Sequence, residues 1–177
     1  YSPSIIVTYF AGTSTKVGIY ILIRVFLDIL NVINPLEQYS LIELILFISV
    51  IGVLLTTTYA IKQLDLKKML AFSSIAQLSY IVIALMIFTN ESVTASLVHI
   101  FNHSIIKTGL FLIIATIFVS SKQINTEDLA GLGKQYPYMM AAFVILSFGL
   151  IGIPLTSGFI SKWYLVTAIL DSNFWYL

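Results

Sequence analysis

Three residues able to carry a proton stand on one face of an apolar stretch: His99, His103 and Lys107, spaced i, i+4 and i+8. On a helix, residues four apart lie one above another, so this pattern stacks two imidazoles and an ammonium in a row. Two further lysines, Lys16 and Lys162, interrupt apolar stretches elsewhere. In water such groups are ordinary. Inside a bilayer an ionisable side chain is expensive and marks an ion or proton path. Imidazole has the ordinary pKa nearest neutrality, which suits proton exchange. Two histidines at i, i+4 could also begin a metal site, but Asn102 and Ser104 beside them offer neither carboxylate nor thiolate. Histidines that merely hydrogen-bond helix to helix are the structural alternative.

Composition supplies the bilayer. The chain is 59% hydrophobic and 10% charged, with a mean hydropathy of +1.00, whereas soluble domains carry about 25% charged residues. A net charge of +1 without any basic run gives no sign of a nucleic-acid partner. The chain has no cysteine, so thiolate-bound clusters and disulfides are excluded. Glycine motifs for nucleotides are missing too, since Gly131-Leu132-Gly133 continues into neither a dinucleotide fingerprint nor a P-loop. No cofactor and no catalytic site of its own are expected, so any redox chemistry belongs to a partner. Tyr1 and Leu177 do not read as natural termini, and no signal peptide is apparent.

An all-α, polytopic membrane bundle of about five transmembrane helices follows. Apolar runs cover residues 4–30, 40–61, 68–88, 92–119 and 136–170 of one domain, 1–177, each at least the ~20 residues that a spanning helix needs. The last run holds Gly149, Gly152, Pro154, Ser157 and Gly158. Proline removes a helical hydrogen bond, so this span should break near Pro154. Broken helices survive at membrane depth only where protein or a wet cavity satisfies the freed backbone. Five alternating spans put Lys62, Lys67, Lys68, Lys122 and Lys134 on one side, and Glu37, Glu91 and Asp171 on the other. By the positive-inside rule the lysine side is cytoplasmic or matrix-facing.

Depth separates the charges. Asp28, Glu43, Lys62 and Lys68 lie near span ends, where a side chain can snorkel to the interface. Arg24 is intermediate. Lys16 lies about 12 residues, or ~18 Å, from either end of its span, beyond the reach of a lysine stem. Lys107 sits as deep, roughly 12 to 15 residues from each end. At ~2.5–3.5 kcal/mol each, the two would cost about 5–7 kcal/mol, comparable with a whole protein's net stability. Either they are polar glue between helices or they line a polar pathway. Lys162 follows the expected break. If a new half-helix begins there, its positive dipole end lies close to the ammonium, a placement that suits a lysine poised to release a proton. Snorkelling is the alternative for this residue.

Four motifs in order then carry a resemblance: Gly12 to Tyr20, Asp65 to Ser74, His99-x3-His103-x3-Lys107, and Ile151 to Tyr164. Together they resemble the proton-conducting antiporter family, the antiporter-like membrane subunits of complex I (NADH:quinone oxidoreductase), membrane-bound hydrogenases and multisubunit Na⁺/H⁺ antiporters. The resemblance implies a full subunit of about fourteen helices built on two inverted five-helix repeats, of which this stretch looks like helices eight to twelve. It implies proton or cation/proton translocation in concert with other membrane subunits. Lys16 matches the central helix-eight lysine, Lys107 with His99 and His103 the helix-eleven relay, and Lys162 the lysine of the broken helix twelve. The Asp65–Ser74 motif looks like a helix start with a packing role. The family's glutamate and lysine of earlier helices are not in this stretch. The wording around Lys16 and Lys162 looks most like the antiporter's D-type component, with the complex I and hydrogenase paralogues close behind. A non-conducting structural paralogue is the third alternative. The implied setting is a cell inner (plasma) membrane or, alternatively, the mitochondrial inner membrane.

Overall fold

Most of these segments are apolar on every side, which suits helices surrounded by lipid or by other helices. The computed structural model describes residues 4–29, 39–121 and 125–171, and these are mostly helical. The elements are α1 (Ser4–Gly12), α2 (Ser14–Arg24), a π turn (Val25–Ile29), α3 (Tyr39–Ile61), α4 (Leu66–Leu85), α5 (Asn90–Ser121), a 3-10 turn (Thr126–Leu129), α6 (Leu132–Gln135), α7 (Pro137–Ile151) and α8 (Ser157–Leu170). The loop expected around Pro35 and Glu37, and the loop residue Lys122, lie outside the described residues.

Among the described residues three helices are long and apolar enough to cross a membrane: Leu41–Ile61, Leu66–Leu85 and Asn90–Val119. The first and last expected spans are each divided. The division near Pro154 matches the sequence expectation. That within residues 4–30 departs from it, and it falls at Thr13, whose φ of −121° and ψ of −60° leave the helix. The local sequence Gly12-Thr13-Ser14-Thr15 explains it: glycine and β-branched threonine are poor helix formers, and the hydroxyls compete for backbone groups. Thr13 Oγ1 donates to Tyr9 O at 2.8 Å. Past this break, Arg24 and Asp28 pair at 2.7 Å on an exposed face, a contact of little energetic weight.

The second break is sharper. At the end of α7, Gly152 adopts φ 86°, ψ 46°, a left-handed conformation that costs glycine little. Its N–H donates to Phe148 O at 2.9 Å. Pro154 follows, and α8 then restarts at Thr156, whose hydroxyl accepts from the Phe159 N–H at 3.3 Å. The two half-helices meet at Gly149 and Gly158. A Cβ on Gly158 would lie 1.8 Å from Gly149 O, so only glycine allows this approach.

α5 is the axis of the molecule, packing against α1, α4, α7 and α8. Its 32 residues span about 48 Å at 1.5 Å each, more than a bilayer core of ~30 Å, which requires tilt or protrusion. α4 begins with Asp65, whose carboxylate accepts from the N–H groups of Lys67 and Lys68 at 2.8 and 3.2 Å, a cap on the helix's free donors. Apolar clusters fill both ends of the bundle, one around Ile42, Leu46 and Leu85 and one around Leu70, Leu110 and Ile114. Between them α5 presents its histidines and lysine.

Candidate proton-relay site

The row on α5 is buried: Lys107 is 0% exposed, His103 2% and His99 3%, with Lys16 of α2 at 7%. Lys162 of α8 is half-buried. Lys107 is the largest of the fully buried side chains among the described residues. The rings of His99 and His103 are 6.2 Å apart and tilted by 14°, as one helical turn dictates. The charge of Lys16 acts on Lys107, that of Lys162 on His99, and those of all three lysines on His103. Four of the five sequence-derived positions are thus buried, and the fifth, Lys162, is half-buried.

Each lysine is held by backbone. Lys16 Nζ donates to Ala11 O, on the far side of the Thr13 break. Gly12 O, the next carbonyl freed there, accepts from Ser104 Oγ of α5 at 2.5 Å. Lys107 Nζ donates to Leu70 O at 2.8 Å and to Ser73 Oγ at 2.5 Å, both on α4. Lys162 Nζ donates to Leu150 O and Ile151 O, each at 2.9 Å. This corrects the expectation for Lys162. Its ammonium reaches back across the break to the carbonyl end of α7, the negative end of a helix dipole, instead of lying against the positive end of α8. A lysine stem is long enough to choose the favourable end.

The histidines differ from each other. His99 Nδ1 lies 3.0 Å from Ser161 Oγ, and its Nε2 lies 3.1 Å from Gln77 Oε1. Neither nitrogen of His103 has a hydrogen-bond partner among the described residues. Beside it is a cavity of about 10 Å³ lined by Gln77, His99, Asn102, His103 and Ser161, close to the smallest volume that holds one water molecule. Among the described residues no hydrogen bond joins two of the five relay positions, so a proton moving between them needs a carrier or a side-chain movement.

Sequence reasoning missed three polar side chains: Ser73 and Gln77 on α4 and Ser161 on α8. Ser73 belongs to the Asp65–Ser74 motif, which reads from sequence as a packing element. Asp65 does cap α4, but Ser73 touches Lys107. The available signal was the four-residue spacing of Ser73 and Gln77 in an apolar span, which puts two polar side chains on one face of α4. A second, larger cavity of about 540 Å³ lies between α3, α4 and α8, and Ser73, Gln77, Tyr80 and Lys162 line it.

Residues 1–177 match the family of NADH:quinone oxidoreductase/Mrp antiporter transmembrane subunits. The chain is 33% identical over 175 residues to the N-type subunit of the NADH-quinone oxidoreductase of Desulforudis audaxviator, covering 99% of this chain and 34% of that protein. It is likewise 33% identical over 177 residues to the D-type component of the Na⁺/H⁺ antiporter of Alkalihalophilus pseudofirmus, covering 97% of this chain and 34% of that one. Among solved structures, the archaeal membrane-bound sulfane sulfur reductase superposes with a TM-score of 0.88 at 30% identity, covering 98% of this chain and 35% of its own. The Mrp complex from Dietzia sp. gives 0.85 at 29%, covering 93% and 30%. The chain spans about a third of the length of these relatives. The family match along the whole chain and the shared fold agree: this chain belongs to the NADH:quinone oxidoreductase/Mrp antiporter transmembrane family.

Proposed function

We propose that this chain carries part of a proton, or cation/proton, translocation path within a multisubunit membrane complex, running from Lys16 through His103, His99 and Lys107 to Lys162. The observation that supports it is burial without charge compensation: Lys16, His99, His103 and Lys107 are buried, and among the described residues none of the three lysines forms an ion pair. At an effective dielectric of ~20, two charges ~8 Å apart interact by about 2 kcal/mol, enough to move a proton equilibrium more than tenfold. A proton arriving at one station thereby drives one from the next. Relatives named as antiporter and quinone oxidoreductase subunits support translocation as the shared task. Equal identity to both leaves membership of an Na⁺/H⁺ antiporter and of a complex I or hydrogenase as parallel versions of the proposal. With bacterial relatives, the setting proposed is the cell's inner (plasma) membrane.

The test is Lys107→Ala in the full-length subunit within its assembled complex, read as proton flux into vesicles. Flux should fall at least tenfold. A second reading, a non-conducting brace, draws on the bonds from Lys16, Lys107 and Lys162 to backbone carbonyls, which also tie helix ends together. Undiminished flux would select the brace.

A further inference from the structure

We infer that α4 supplies two positioning residues to this path, Ser73 and Gln77, whose hydrogen bonds to Lys107 and His99 can reverse direction. The inference rests on the relay reading above.

The two helices run antiparallel: Ser73 meets Lys107, and Gln77, four residues further along α4, meets His99, eight residues back along α5. An ammonium only donates, whereas a neutral amine also needs a donor. Of Lys107's two partners, Leu70 O can only accept. Ser73 can do both. With Lys107 charged, Ser73 Oγ accepts from it and sends its own proton to Leu70 O at 3.0 Å. With Lys107 neutral, the hydroxyl rotates and donates to Nζ. Leu70 O is not orphaned by that rotation, because Ser74 Oγ also donates to it, at 2.9 Å.

Gln77 offers the same choice through its amide. With the Ser161 hydroxyl directed at Gly158 O, 3.1 Å away, its oxygen accepts from His99 Nδ1, and this arrangement assigns the hydrogen to that nitrogen. The proton that comes and goes is therefore the one on Nε2, which faces Gln77. The amide oxygen accepts from a protonated Nε2, and after a half-turn the amide NH₂ donates to a bare one. Both side chains border the 540 Å³ cavity that Lys162 also lines, so the amide has room to turn and the wall joins the α5 row to the broken helix. The charged and titratable groups near these two are Lys16 from α2, Lys162 from α8, His103 of α5 itself and Tyr80 of α4 on the shared cavity wall, which α3 faces with the uncharged Thr57, Ala60 and Ile61. α1 and α7 contain no charged residue, and α4 has its two lysines at its start.

Fixing either partner in one direction favours one protonation state of the group it faces. The experiment is the pH dependence of proton flux for Ser73→Ala, Ser73→Thr, Gln77→Leu and Lys107→Ala, each in the full-length subunit of the assembled complex. The pH midpoint does not depend on how much complex is inserted. Ser73→Ala and Gln77→Leu should each shift it by roughly one unit, a tenfold change in proton affinity. Ser73→Thr, which keeps the hydroxyl, should restore it. If Lys107→Ala stops flux while both α4 variants keep the parental midpoint, the positioning role is overturned and the relay stands. If Lys107→Ala leaves flux intact, the relay itself fails, and this inference with it.

Discussion

His103 is a costly residue to bury. Its two nitrogens are buried without partners among the described residues, and each such group costs ~1–3 kcal/mol. A side chain chosen for packing alone would not be a histidine here. His103→Leu removes both orphans at similar bulk. The assembled complex should then melt at the same or a higher temperature, by the equivalent of up to about 2 kcal/mol, while proton flux falls at least tenfold. Lowered stability together with preserved flux would show that His103 is structural. Lys107 invites the parallel experiment. Lys107→Met withdraws an ammonium from a wholly buried site, and exchange of buried charge for apolar bulk is often neutral or stabilising. If the lysine is only a brace to Leu70 O and Ser73, thermal stability should instead drop by about 1–3 kcal/mol. Differential scanning of the purified complex separates these outcomes.

Among the elements, the two breaks differ in what holds them. At the first, a Cβ on Gly12 would lie 2.3 Å from Thr108 Oγ1, which is the tip of a side chain. Gly12→Ala should therefore destabilise by about 1–3 kcal/mol, and Thr108→Ala in the same chain should recover most of the loss in a thermal melt. At the second, a Cβ on Gly158 meets the Gly149 carbonyl oxygen, which belongs to backbone. Gly158→Ala should cost more than ~3 kcal/mol, and no single side-chain change should repair it. The same contrast explains what the sequence could reveal. Gly152, Pro154 and Gly158 announce the second break, because proline and left-handed glycine terminate helices by steric rule. Gly12-Thr13-Ser14-Thr15 is only a weak propensity signal in an apolar run, and the contact of Ser104 with Gly12 O lies 92 residues away in sequence. The burial of Lys16, Lys107 and both histidines agrees with their place inside apolar runs. Their partners were not readable in the sequence, since a backbone carbonyl such as Leu70 O or Ile151 O has no residue-type signature.

At the scale of the molecule, the ends of the helices settle which loops share a side. Asp65 and Asn125 form an isolated antiparallel bridge, and Thr126 N–H donates to Leu64 O at 2.9 Å. The α3–α4 turn and the segment after α5 are thereby tied at one end, where Lys67 also lies 3.3 Å above the centre of the Phe118 ring. α4 rises 20 residues away from that end before α5 begins near Glu91, about 30 Å at helical pitch and one bilayer core in thickness. Lys62, Lys67, Lys68 and Lys134 therefore stand at the end opposite Glu91, and the positive-inside rule predicts that a cytoplasmic face lies on their side. Because the chain has no cysteine, single cysteines report this directly in the full-length subunit once any cysteine outside this stretch is replaced. Gln63→Cys and Lys134→Cys should resist a membrane-impermeant maleimide in right-side-out vesicles and react in inverted ones, while Glu91→Cys should do the reverse. Labelling of Gln63→Cys and Glu91→Cys from the same face would break the alternation of α4 and α5. With it would go the placement of the His–Lys row across the membrane, since that row depends on α5 spanning from the Glu91 side to the Asp65–Asn125 bridge.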